Sequence, residues 1–80
     1  MNRETLIKEL GGIVVEQLDV KPEEVVETAN FANNLGADSL DIVEMIMAVD
    51  EKYNITTEDD VAETLLTFGD VIDYLEKATK

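Results

Sequence analysis

The chain has no cysteine, no histidine and no tryptophan, a single proline, and only six basic residues. Each absence removes a class of function. Without cysteine there can be no disulfide staple and no thiolate metal site. Without histidine the usual general base and the commonest metal ligand are both missing. With so few Lys and Arg, the counter-charge that phosphate backbones and anionic membranes demand is missing as well. No run approaches the roughly 18 consecutive apolar residues of a membrane-spanning helix, and the opening "MNRETLIKELGG" mixes charges into its apolar residues, unlike an export signal. A chain that stays in the cytoplasm is expected, neither nucleic-acid-binding nor membrane-spanning.

What is present is acid. Nineteen Asp and Glu give the 80 residues a formal charge of −13, which favours partners with basic patches. Hydrophobic residues make up 45% of the chain, and they are periodic, so the acidity does not signal disorder. The length suits one small domain, near the size at which a single core supplies about 3–5 kcal/mol of net stability. No repeat, linker or low-complexity tract divides it.

Periodicity predicts an all-α fold, a small four-helix bundle of three long helices and one short third helix, with a long loop between the first two. Leu6, Ile7, Leu10, Ile13, Val14, Gln17 and Leu18 form a helical stripe, weakened locally by Gly11 and Gly12. Pro22 opens a turn, and a long connection runs on to Asn34. Asp38 then caps a helix from Ser39 to Tyr53. Thr57, with Asp60 three residues on, predicts the cap of a short helix through Val61, Ala62 and Leu65, and Thr67 with Asp70 repeats the arrangement before Phe68, Val71, Ile72 and Leu75.

The second helix carries more apolar surface than one packed face requires. At about 100° per residue, Ile42, Met45, Ile46, Val49 and Tyr53 share one arc. Leu40, Val43 and Met47 occupy another, centred roughly 130° away and edged by Glu44 and Glu51. Two readings fit: a central helix buried nearly all round, or an exposed apolar seam rimmed by carboxylates and suited to a basic groove. Pattern alone does not choose between them.

At the head of that helix lies "LGADSLD", residues 35–41. A nucleophilic serine needs a base within hydrogen-bond reach, and the segment fails the G-x-S-x-G elbow, so Ser39 does not read as a catalyst. It reads as an ordinary first-turn serine or as a hydroxyl that another enzyme modifies. A phosphate ester there would meet the positive end of the helix. Asp38 and Asp41 would repel it, which makes them better suited to docking a partner. A calcium loop in "DEKYNITTEDD" is disfavoured, because Lys52 interrupts the acidic series and no glycine makes the turn.

With these residues in view, "LGADSLD" followed by "IVEMIMAVDEKY", together with "EQLDVKPEEV" and "VIDYLEK", resembles the acyl carrier proteins of dissociated fatty acid synthesis over nearly the whole chain. The resemblance implies a non-catalytic carrier. Ser39 would bear 4′-phosphopantetheine, transferred from coenzyme A by a separate Mg²⁺-dependent holo-carrier synthase (a phosphopantetheinyl transferase). Asp38, Asp41, Glu44 and Glu51, with apolar Leu40, Val43 and Met47, match the positions that dock fatty acid synthesis enzymes having basic patches. Phe31, Met45, Ile46, Val49, Ala62, Leu65 and Val71 match positions around a cavity that shelters the acyl chain. No metal site is implied, and a monomer is expected. Two departures stand out: Thr57 and Glu58 where the family commonly has an apolar residue and a proline, and Asn33 and Asn34 where it has an acidic pair. They leave open a specialised polyketide, lipid or aminoacyl carrier, and more remotely an unmodified acidic interaction module.

Overall fold

The computed structural model describes residues 2–79. Four α-helices form: α1 (Arg3–Leu18), α2 (Ser39–Tyr53), α3 (Asp59–Ala62) and α4 (Phe68–Ala78), with a 3-10 turn at Pro22–Glu24 in the long connection after α1. Among the described residues no strand forms, and the only bridge is an isolated one between Asn30 and Thr67.

Helix ends follow local chemistry. Asn2 caps α1 by accepting a bond from Thr5 N, and Thr67 caps α4 in a reciprocal box with Asp70. The C-termini of α1 and α2 are turned by Asp19 (φ 54) and Asn54 (φ 55). These are residue types whose short polar side chains tolerate the left-handed region in place of glycine. Gly11 and Gly12 do not interrupt α1, which runs unbroken past both. A Cβ added to either would meet nothing within 4 Å.

Helix α1 packs against both α2 and α4. Leu6, Leu10 and Val14 of α1 meet Met45 and Val49 of α2 and Phe68, Val71, Ile72 and Leu75 of α4 in one core. The long connection contributes as much as a helix does: Ala29, Phe31, Leu35 and Ala37 are all buried. It is a plug rather than a slack loop. Its backbone pairs with the start of α4, through Phe31 N to Leu66 O (3.1 Å), Phe68 N to Ala29 O (3.0 Å) and Gly69 N to Glu27 O (2.9 Å). That approach demands glycine at position 69, where a Cβ would sit 2.8 Å from the Glu27 carbonyl oxygen. On the outside, Arg3 joins Glu27, Asp73 and Glu76, tying α1, the connection and α4 together. The hydrogen bonds to Glu27 and Asp73 lead in raising the guanidinium pKa above its usual value, against a smaller opposing effect of desolvation.

Candidate functional site

The connection delivers the chain to α2 in a set geometry. Asn30 Oδ1 accepts from Ala32 N (3.0 Å) and Asn33 N (2.9 Å), and Asn34 Oδ1 accepts from Asn30 N (2.7 Å). The asparagines at 30 and 34 are therefore turn-forming groups, and Asn33 and Asn34 are the two positions where the resemblance implies an acidic pair. Gly36 follows with φ +69, a backbone conformation that side chains resist. Ala37 N then bonds Phe31 O at 2.8 Å.

Asp38 and Asp41 form a capping box at the start of α2. Asp38 Oδ1 accepts from Asp41 N at 2.9 Å, and Asp41 Oδ2 accepts from Asp38 N at 3.2 Å. Both carboxylates thus help order the helix as well as charging its end. Ser39 is the first helical residue and is exposed. Its N–H and that of Leu40 have no carbonyl to bond within the helix, which leaves two N–H donors beside the hydroxyl.

From Ser39 a groove of about 490 Å³ runs between α2 and the α3 segment. Ile42, Val43 and Ile46 form one wall, and Ala62, Leu65 and Leu66 the other, with Asp59 and Glu63 the charged lining residues. Of the seven positions expected around an acyl cavity, Ile46, Ala62 and Leu65 line this groove. Phe31, Met45, Val49 and Val71 are instead 1 to 3% exposed in the packed core. Another groove, lined by Ile7, Lys8, Gly11, Gly12, Val15, Pro22 and Val25, shares no residue with it.

The second apolar stripe of α2 faces outward. Leu40, Val43 and Met47 are 64, 52 and 64% exposed, and Glu44 and Glu51 are exposed beside them. The structure therefore selects the seam over the fully buried helix. Leu66 extends the exposed apolar surface across the groove at 58% exposure. The short helix expected to run through Leu65 ends at Ala62, and Leu65 follows it.

Thr57 does not cap α3. The N-cap is Glu58, whose side chain makes no capping bond. Thr57 turns the other way: its N–H and hydroxyl both donate to the Asp50 carboxylate, at 3.0 and 2.6 Å. Its Oγ1 also lies 3.1 Å from Tyr74 Oη. With the threonine proton given to Asp50, the tyrosine proton is the one left to fill the second bond. The long-range partners outcompeted a local cap. Asp50 itself escaped sequence reasoning, although it follows Ile46 by four positions on the inward side of α2, where a carboxylate needs a partner.

A short acidic helical bundle that presents an exposed serine at a helix mouth, at the head of an apolar groove, is the build of a carrier domain. Comparison with known proteins agrees. Residues 8–75 match the family described as "Phosphopantetheine attachment site". The chain is 57% identical over 68 residues to the acyl carrier protein of Afipia carboxidovorans, spanning 85% of this chain and 86% of that protein. It is 51% identical over 71 residues to the acyl carrier protein of Wolinella succinogenes, spanning 89 and 93%. The solved acyl carrier protein of Enterococcus faecalis superposes with a TM-score of 0.80 at 25% identity, covering 96% of this chain and 98% of that one. The chain belongs to the acyl carrier proteins, a family that bears covalently attached phosphopantetheine and carries acyl groups rather than catalysing a reaction.

Proposed function

We propose that Ser39 is the residue that bears the arm, that the outward face of α2 docks the enzymes, and that the groove beside α3 shelters the acyl chain. The observation that carries this reading is the junction at the head of α2. There one exposed primary hydroxyl stands where an apolar groove meets an exposed apolar seam edged with carboxylates. These residues fit the group. The helix mouth offers N–H groups to a phosphate, and Ser39 is an exposed residue. When bound, the arm supplies the thiol that holds an acyl group as a thioester, which a chain without cysteine cannot supply itself.

The chain's own residues do the rest. Asp38 and Asp41 fix the helix start and place Ser39 within reach of a transferase. Leu40, Val43 and Met47 give a partner apolar area to bury, and Glu44 and Glu51 supply the charge that steers basic patches toward it. Residues 1–80 act as one carrier domain, a monomer in the cytoplasm, serving a phosphopantetheinyl transferase and the enzymes of fatty acid synthesis. Co-expression with a broad-specificity transferase followed by intact-mass measurement tests the assignment. One phosphopantetheine group is expected on the parent and none on Ser39→Ala. An unmodified parent, or a mass shift that survives the substitution, overturns it.

A further inference from the structure

The wall of the groove opposite α2 is lightly built. Helix α3 has four residues and no side-chain cap. Of the stretch from Asp59 to Leu66, only Leu65 is buried. The segment is held instead at its two ends. Downstream, Leu66 O accepts from Phe31 N (3.1 Å), and Asp70 Oδ2 accepts from both Leu66 N (3.1 Å) and Thr67 N (3.0 Å). Upstream, Thr57 is clamped by two bonds to Asp50 of α2 and by its contact with Tyr74 of α4. Between these pins its backbone hydrogen bonds run only within the segment, and a wall so held yields only as far as its pins allow.

We propose that the Asp50–Thr57–Tyr74 cluster sets how far α3 can move from α2, and thereby which acyl chain lengths the groove shelters, with Thr57 as the positioning residue. The proposal rests on the groove being the acyl site. Thr57 itself does not line the groove, so its influence passes through α3. The polar bonds at this pin do not grow stronger as more of a chain enters, whereas apolar burial does. Chain length is therefore the variable that pits one against the other. A buried methylene and one net hydrogen bond contribute comparable free energy, so loss of the hydroxyl shifts the preferred length by about one to two carbons.

The test loads parent, Thr57→Val, Thr57→Ser and Tyr74→Phe from acyl-coenzyme A thioesters ranging from hexanoyl to hexadecanoyl, using a broad-specificity transferase. Cleavage of each thioester by hydroxylamine then reports sheltering. Amide hydrogen exchange of residues 59–66 in the unmodified proteins gives a readout independent of loading. Thr57→Val is expected to move the best-protected length upward, and to speed exchange in 59–66 by at least about fivefold, the factor for one net hydrogen bond, because its hydroxyl makes two. Thr57→Ser should restore both, and Tyr74→Phe should move both in the same direction by less, which also covers a poorly folding valine variant. A parent that shelters by length while the folded variants follow the same profile overturns the clamp alone, even if exchange quickens. A parent that cannot be loaded at Ser39, or whose cleavage ignores chain length, overturns the acyl-site reading and the clamp together.

Discussion

Asp38 has two roles that a pair of substitutions can separate. Its Oδ1 holds Asp41 N at 2.9 Å, and its own N–H is held in return at 3.2 Å by Asp41. Alanine removes the first bond and keeps the second, whose donor is the backbone N–H of residue 38. Loss of such an N-cap costs about 1 kcal/mol, within a range of roughly 0.5–2 kcal/mol. In a domain of this size that corresponds to a fall in Tm of about 4–8 °C. Asparagine keeps the accepting oxygen and ranks with aspartate as a cap. It gives up a favourable charge at the helix N-terminus, a term of about 0.3–1 kcal/mol, and it relieves repulsion between Asp38 and Asp41 in a chain of charge −13. The two nearly offset, so Asp38→Asn should melt close to the parent. Its rate of modification by the transferase should fall nonetheless, and the deficit should shrink as salt screens the lost attraction. Thermal unfolding and timed intact-mass measurements of both variants decide the matter. If Asp38→Asn lost as much stability as Asp38→Ala, the hydrogen-bond account of the cap would be wrong. If it were modified at the parent rate at every ionic strength, Asp38 would have no part in docking.

Glu44→Lys should slow modification most at low salt while leaving the melting temperature near that of the parent, since the side chain is exposed; equal rates across a salt series would remove α2 as the recognition surface. Two glycines should respond oppositely to alanine in urea titrations. Gly12→Ala should add about 0.5–1 kcal/mol, because the new methyl meets nothing. Gly69→Ala should remove about 1–3 kcal/mol, because the methyl would strike the Glu27 carbonyl at 2.8 Å; a neutral Gly69→Ala would mean the connection yields freely. Tyr53 donates to Glu9 at 2.9 Å, and desolvation first, then that bond and the carboxylate's charge, raise its pKa above the ordinary value of 10.0. A folded pKa above the unfolded one contributes stability that is intact below about pH 10 and is lost as pH climbs beyond it, since the unfolded chain ionises first. Tyr53→Phe should therefore flatten the alkaline fall in stability, and an unchanged slope in that variant would assign the fall to other groups.

Local chemistry was legible. The N-terminus of α2 at Ser39 with its cap at Asp38, the box Thr67–Asp70, and the turn at Pro22 all depend on groups within four residues of one another, so the chain alone specifies them. The absence of any histidine to activate Ser39 belongs to the same level. From these follow an acidic helical bundle with a serine at a helix mouth, and the resemblance to a carrier.

What the tertiary structure decided is whatever depends on which surfaces are covered. The two apolar stripes of α2 have the same periodicity, and only the placement of α1, α4 and the long connection buries one and leaves Leu40, Val43 and Met47 in water. The same packing sends Phe31, Met45, Val49 and Val71 into the core and leaves Ile46, Ala62 and Leu65 on the groove. Thr57 shows the limit most plainly. A threonine three residues before an acid is a good cap by any local rule, yet Asp50, seven positions away, and Tyr74, seventeen away, reach it first. A hydroxyl can give its one proton only once, and the fold decided where it went.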